Sequence, residues 1–259
     1  MLRDMKPLAG KTAIVTGASR GIGEAIALRL GAEGASVALC ARDRQLLESN
    51  AASIRAEGSR ALTVPLDLRE AASAQSLVGA ALVEFGGIDI VVNCAGATKR
   101  GDFEALTDDD WTDGYALKMF GAVRVTRAAW PHLRARSGSV VNIAGVGGRT
   151  PGPQFTIGGS VNAALLAFTK ALADVGLTDG IQVNAINPGP VRTARLEKRL
   201  AAIDSDPDVA EAAFIRAEKI TRIGEPSDIA ALVSFILSPA GRLLHGSLID
   251  MDGGSTKSL

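Results

Sequence analysis

The sequence predicts an α/β fold, a doubly wound parallel sheet flanked by helices, and three observations carry that reading. Short β-branched runs alternate with long Ala- and Leu-rich amphipathic stretches, the pattern of repeated strand–helix units. The strand-like runs are apolar without alternation, as expected of strands covered on both faces. The first of them runs directly into a glycine-rich turn that opens a helix, Thr16-Gly17-Ala18-Ser19-Arg20-Gly21-Ile22-Gly23.

Taken in order, Thr12–Thr16 is the first predicted strand, and the stretch 21–33 beyond the glycine turn is the first helix. Ser36–Cys40 predicts the second strand and 43–57 the helix that returns from it. Ala61–Leu66 and 70–85 form the next pair, followed by Ile88–Asn93 and a long helix over 108–136. Ser139–Ile143 leads to a helix over 160–176, and Gln182–Ile186 leads towards a helix over 226–237 before the last strand, Leu248–Asp250. The intervening stretch 191–219 is the most charged and least strand-like part, and Asp204-Ser205-Asp206-Pro207 within it is a turn signal. It fits either a helical flap over a cleft or an ordinary surface excursion.

The chain has 259 residues, the size of one α/β domain spanning 1–259. Apolar residues make up 47% but aromatics only 4%, so Ala, Val, Leu and Ile must build the core. The 28 basic and 28 acidic residues cancel, which leaves no charge imbalance to draw the chain to nucleic acid or an anionic membrane. Cys40 and Cys94 lie in apolar strand-like runs and read as reduced core thiols, with no disulfide or metal site expected. No apolar run is read as long enough to span a membrane, and Met1 to Lys6 lacks the apolar stretch of a secretory signal. A cytoplasmic protein is expected.

Gly17, Gly21 and Gly23 allow a tight turn and a close approach to a pyrophosphate, with helix N–H groups facing the anion. A dinucleotide site is therefore expected. NAD sites of this kind place an acid at the end of the second strand to accept the ribose 2′-OH. Here Ala41 holds that place, with Arg42 beside it and Arg20 in the glycine turn. Two guanidinium groups suit a 2′-phosphate, so NADP(H) is expected over NAD(H).

With these residues in view the chain resembles the short-chain dehydrogenase/reductase family, in particular its 3-oxoacyl-carrier-protein reductase-like members. Thr16–Gly23, including Ser19 and Ile22, is similar to the family's TGxxxGIG motif. Asp67 with Leu68 is similar to its adenine contact, and Asn93-Cys94-Ala95-Gly96 to its NNAG motif with one Asn replaced. Asn187-Pro188-Gly189-Pro190-Val191-Arg192-Thr193 is similar to the stretch that meets the nicotinamide end. Arg222–Pro226 and Asp252-Gly253-Gly254 match its C-terminal landmarks. The resemblance implies a Rossmann-type sheet of seven parallel strands and a tetramer or dimer.

The resemblance also implies catalysis by an Asn, a Ser, a Tyr and a Lys, with Tyr as the acid. Aligned by motif, these positions hold Lys118, Gly145, Gly158 and Asn162. No tyrosine follows Tyr115, the only one in the chain, so no shift of alignment recovers a Tyr-x-x-x-Lys. A positioned general acid contributes roughly 10²–10⁴ in rate, and simple ketone reduction without replacement groups is not expected. Lys118 places an ammonium beside the region vacated by the family Lys. Tyr115, three residues earlier, would share its helix face. Asn162 can hydrogen-bond a ribose hydroxyl, and Gly158-Gly159 opens space where a phenol ring would sit. Arg149, Gln154 and Thr156 belong to the loop bordering the substrate, His132 is expected to be exposed, and Lys170 lies too far along its helix to replace the family Lys.

Two functional readings stand on this sequence. One is an NADP(H)-dependent oxidoreductase acting on an activated carbonyl, imine or enone without the usual Tyr and Lys. The other is a non-catalytic cofactor-binding subunit or sensor, with an active paralogue as its partner.

Overall fold

A computed structural model describes residues 6–257. The secretory-signal reading of the first residues falls almost entirely outside that range. Seven parallel strands form one sheet in the order β3-β2-β1-β4-β5-β6-β7. They are β1 (Thr12–Thr16), β2 (Ser36–Ala41), β3 (Ala61–Pro65), β4 (Ile90–Asn93), β5 (Ser139–Ile143), β6 (Gln182–Pro188) and β7 (Leu248–Met251). Every strand predicted from the sequence is present, with ends shifted by at most two residues.

Side chains alternate between two cores. Ala13, Val15, Val37, Leu39, Ile90 and Val92 face one side, where they meet α1 (Gly21–Ala32), α2 (Arg44–Ala56) and α9 (Pro226–Leu237). Ile14, Ala38, Cys40 and Val91 face the other, against α3 (Ser73–Phe85), α5 (Gly121–Arg134) and α6 (Thr156–Asp179). Aliphatic residues fill both, and each fully buried Leu or Ile, such as Leu30, Leu39 or Leu133, contributes about 1.5–3 kcal/mol. Cys40 and Cys94 are free thiols, and burial pushes each up to about 12, so both are protonated at neutral pH.

The single helix predicted over 108–136 is three pieces. α4 (Asp108–Gly114) carries a capping box between Thr107 and Asp110, a π turn covers Tyr115–Phe120, and α5 follows. A Cβ on Gly114 would lie 2.6 Å from Ile157, so the glycine lets this break approach α6. α6 begins at Thr156, four residues before the predicted start, because the Pro153–Phe155 turn leads straight into it. The paired glycines do not delay the helix; their bare backbones meet Phe155 and Pro151.

α6 also corrects the reading that no apolar run reaches membrane-spanning length: with its lead-in turn it is long and apolar enough by length and composition. Its buried face, including Val161, Leu165, Thr169 and Ala173, lies against the sheet, and the Thr169 hydroxyl accepts from Asn142 of β5 at 2.9 Å. The charged stretch 191–219 forms α7 (Ala194–Leu200) and α8 (Pro207–Glu218), with Asp206 capping α8. Leu196, Leu200, Ala210, Phe214, Ile220 and Ile223 give it a small core of its own. Arg192 clasps it, reaching Glu197 (3.0 Å), Glu211 (2.7 Å) and Glu225 (3.0 Å).

Candidate active site

The strand order reverses at β1 and β4, where an open α/β sheet forms its ligand crevice. A cleft of about 1070 Å³ opens there above the C-terminal ends of the strands. The glycine turn forms one wall. Gly17 (φ +68°) lies so close to the β4 loop that a Cβ would sit 2.9 Å from the Ala95 backbone. A Cβ on Gly23 would sit 2.3 Å from the Gly17 carbonyl. Thr16 fixes this approach by accepting the N–H groups of Cys94 and Ala95, both at 3.0 Å. Asn50, on α2, donates to the carbonyls of Ala18 (2.9 Å) and Ser19 (3.4 Å), bracing the turn from behind. The sequence reading did not single out Asn50, whose only signal is a polar residue on the apolar face of α2.

Of the residues expected to hold a cofactor, Gly17, Ser19, Arg20, Gly21, Ile22 and Gly23 line the cleft. So do Arg42, Asp67 and Leu68 at one end, and Ala95 and Gly96 in the middle. Pro188, Gly189, Val191 and Thr193 line the opposite wall. Asn93 does not: its side chain turns into the core and donates to Thr126 (2.9 Å) and Asn142 (2.8 Å), tying β4 to β5. Arg20 and Arg42 are exposed at the rim and loosely paired with Asp43 (3.5 Å) and Asp67 (3.7 Å). The cradle that only bare glycines permit, with two available guanidinium groups at its end, fits a dinucleotide carrying a 2′-phosphate.

Three of the four positions matched to the family's catalytic groups converge in the cleft. The Lys118 stem crosses Gly96, where a Cβ would be 2.9 Å from its Cδ. Its Nζ donates to the Ala144 carbonyl and to Asn162 Oδ1, both at 2.6 Å. Asn162 is buried, and its Nδ2 would lie 3.0 Å from a Cβ on Gly145, whose φ of +149° itself favours glycine. Burial, with a smaller contribution from Arg195, lowers the Lys118 ammonium from 10.5 to about 8. Cys94 adjoins it as a neutral thiol.

The fourth position differs from expectation. Gly158 does not enlarge the pocket, because the Phe155 ring fills the space: a Cβ on Gly158 would lie 2.0 Å from that ring. A Cβ on Gly147 would lie 2.7 Å from its other edge, so two glycines bracket the phenyl group. Arg100 stacks on it, with the guanidinium carbon 4.0 Å from the ring centroid. Tyr115 does not line the cleft, and its side chain makes no hydrogen bond among the described residues. The π turn widens the spiral, so a three-residue spacing no longer stacks two side chains on one face.

Arg149 pairs with Asp250 at 3.0 Å and Gln154 donates to Asp102 at 3.3 Å, so neither lines the cleft. The Thr156 hydroxyl is buried and has no hydrogen-bond partner among the described residues. Lys170 and His132 lie away from the site. Arg100, Arg195, Arg199 and Glu218, none of which the sequence reading singled out, line the end of the cleft beyond Lys118. α7 and α8 supply three of them from a segment some hundred residues beyond Arg100, so no local motif marks the group.

A glycine cradle at the reversal of a seven-stranded parallel sheet, opening on a long cleft, defines a dinucleotide-binding protein of Rossmann type. The family model described as enoyl-(acyl carrier protein) reductase matches residues 17–256. The chain belongs to the short-chain dehydrogenase/reductase family. An uncharacterized oxidoreductase of Mycobacterium tuberculosis is 38% identical over 99% of this chain and 96% of its own length. The L-sorbose reductase of Gluconobacter frateurii, solved with NADPH and L-sorbose, is 31% identical with a TM-score of 0.93, covering 98% of this chain and all of its own. An NADPH-bound short-chain oxidoreductase of Pseudomonas aeruginosa, described as containing an atypical catalytic center, is 29% identical with a TM-score of 0.91, covering 97% and 99%.

Proposed function

We propose that the protein is an NADP(H)-dependent oxidoreductase that reduces an activated acceptor, a carbonyl, imine or enone, with Lys118 as its acid. The observation that carries this is the pair of 2.6 Å bonds from Lys118 Nζ to Ala144 and Asn162. They use two of the ammonium's three donors and leave one for an oxygen in the cleft. Protonated at pH 7 but acidified by burial, the group is tuned to hold or deliver a proton near neutrality.

The other residues divide the remaining work. Arg20 and Arg42 suit the 2′-phosphate, the glycine turn and the start of α1 suit the pyrophosphate, and Asp67 with Leu68 borders the adenine. Bound there, NADP(H) supplies the hydride. Asn162 orients Lys118, and Phe155 closes the wall of the cleft against water. The relative solved with NADPH and an atypical catalytic center supports the same reading by likeness.

Reduced-cofactor fluorescence measures binding, and a panel of ketones, cyclic imines and conjugated enones measures turnover. Lys118→Met should retain NADPH affinity and lose about 10²-fold or more in kcat on any substrate turned over. Unchanged turnover in that variant would overturn the assignment of Lys118. Tight NADPH binding with no turnover across the panel would favour the cofactor-binding subunit or sensor.

A further inference from the structure

The cleft is electrostatically lopsided. At the end expected to take the adenosine part, Arg20, Arg42 and Arg69 are set against Asp43 and Asp67. At the other end the lining holds four cations, Lys118 with Arg100, Arg195 and Arg199, against one carboxylate, Glu218. That carboxylate is already engaged by Arg199 at 3.3 Å. Among the described residues neither Arg100 nor Arg195 is ion-paired, although the fold holds 17 ion pairs, that of Arg199 with Glu218 among them.

These cations are held in place. The Arg100 guanidinium carbon lies over the Phe155 ring at 4.0 Å, Arg195 donates to the Gly96 carbonyl at 3.4 Å, and the Arg199 guanidinium carbon lies over the Phe214 ring at 5.1 Å. They are also near one another: burial, then Arg199 and Arg195, make Arg100 easier to deprotonate than a free guanidinium. Like charges that outnumber their counter-ions in a concave site raise the local concentration of anions, and guanidinium groups pair well with carboxylate and phosphate oxygens.

We propose that the substrate carries an oxyanion, a carboxylate or a phosphate, which Arg100 and Arg195 hold beside Lys118 at the α7 end of the cleft. This rests on the reductase reading above and narrows its substrate class. Arg100 on its phenyl platform is the anchor, α7 brings Arg195 over it, and the reacting group is left facing Lys118. Burial lowers the proton affinity of Lys118, and Arg195, one of the two anion-holding arginines, adds a smaller push in the same direction.

Equilibrium binding to the NADP+-saturated protein, measured by calorimetry, tests this without requiring turnover. Two matched pairs are the probes: acetoacetate against methyl acetoacetate, and dihydroxyacetone phosphate against dihydroxyacetone. At least one anion should bind at least tenfold tighter than its neutral counterpart, and whichever does so identifies carboxylate or phosphate as the source. Arg100→Gln with Arg195→Gln should erase that preference, and added salt should weaken the anion alone. No preference in either pair, or a preference that survives the double substitution, would overturn the proposal. Reduction of neutral ketones only would overturn it and leave the Lys118 reading standing. Arginine-dependent anion binding without reduction would do the reverse.

Discussion

The lowered proton affinity of Lys118 makes a prediction about folding that needs no substrate. The folded chain releases this proton near pH 8, whereas an unfolded lysine releases it near 10.5. Between those values the unfolded state binds more protons, so stability must rise with pH through the window and be lowest below it. The full difference corresponds to about 3 kcal/mol. Lys118→Met keeps the apolar stem across Gly96 and removes the titration. It also strands the Ala144 carbonyl and Asn162 Oδ1, at about 1 kcal/mol each and independent of pH. Urea unfolding of both proteins at matched concentration from pH 7 to 10 should therefore show wild type gaining about 2.5 kcal/mol on the variant. Other titrating groups are common to both and cancel. Parallel stability curves, with a difference flat to about 0.5 kcal/mol, would refute the placement of a charged lysine in a desolvated site.

Arg42→Glu should weaken NADPH at least tenfold while changing NADH affinity far less, read by fluorescence titration, since a carboxylate repels a 2′-phosphate. Gly23→Ala forces a methyl to 2.3 Å from the Gly17 carbonyl; it should cost about 1–3 kcal/mol in urea unfolding and abolish tight NADPH binding. Gly158→Tyr should destabilise the fold by a similar amount through its clash with Phe155, and adding Phe155→Ala should recover most of the loss. Arg192→Met leaves Glu197, Glu211 and Glu225 without their shared cation and should speed tryptic cleavage within 194–219 several-fold, at a cost of about 1 kcal/mol in global stability.

The sheet was legible because each strand is a short apolar run buried on both faces, and that pattern is local. The glycine cradle was legible for the same reason: Gly17, Gly21 and Gly23 sit within one turn, and their spacing is the mechanism. Lys118 and Asn162 were found by position, but their bond to one another joins residues 44 apart and has no sequence signature. Phe155 was missed because its ring depends on two absent side chains, at Gly147 and Gly158, on different elements. Read alone, Gly158 implied empty space; beside an aromatic three residues earlier, it implied a filled one. Asn93 was misplaced because a motif gives the order of residues and not which face of the strand each one takes. The Arg100–Arg195–Arg199 group depends on α7 reaching the loop after β4, where Arg195 meets Gly96, a contact between segments about a hundred residues apart.

The π turn at Tyr115–Phe120 gives chain length a role that residue identity cannot take over. A helix that spends one extra residue on a turn rotates everything before it relative to everything after it, and α4 and α5 are anchored independently, by Gly114 against Ile157 and by Val125, Ala129 and Leu133 in the core. Removing one residue, Ala116 for instance, would let an ordinary α turn close and swing Lys118 by about 100° on its axis. Substitution scans across this turn leave the count untouched and are blind to it. What holds the ammonium over the cleft is therefore partly arithmetic, and a single-codon deletion would disarm the site while every side chain that touches it remained in the chain.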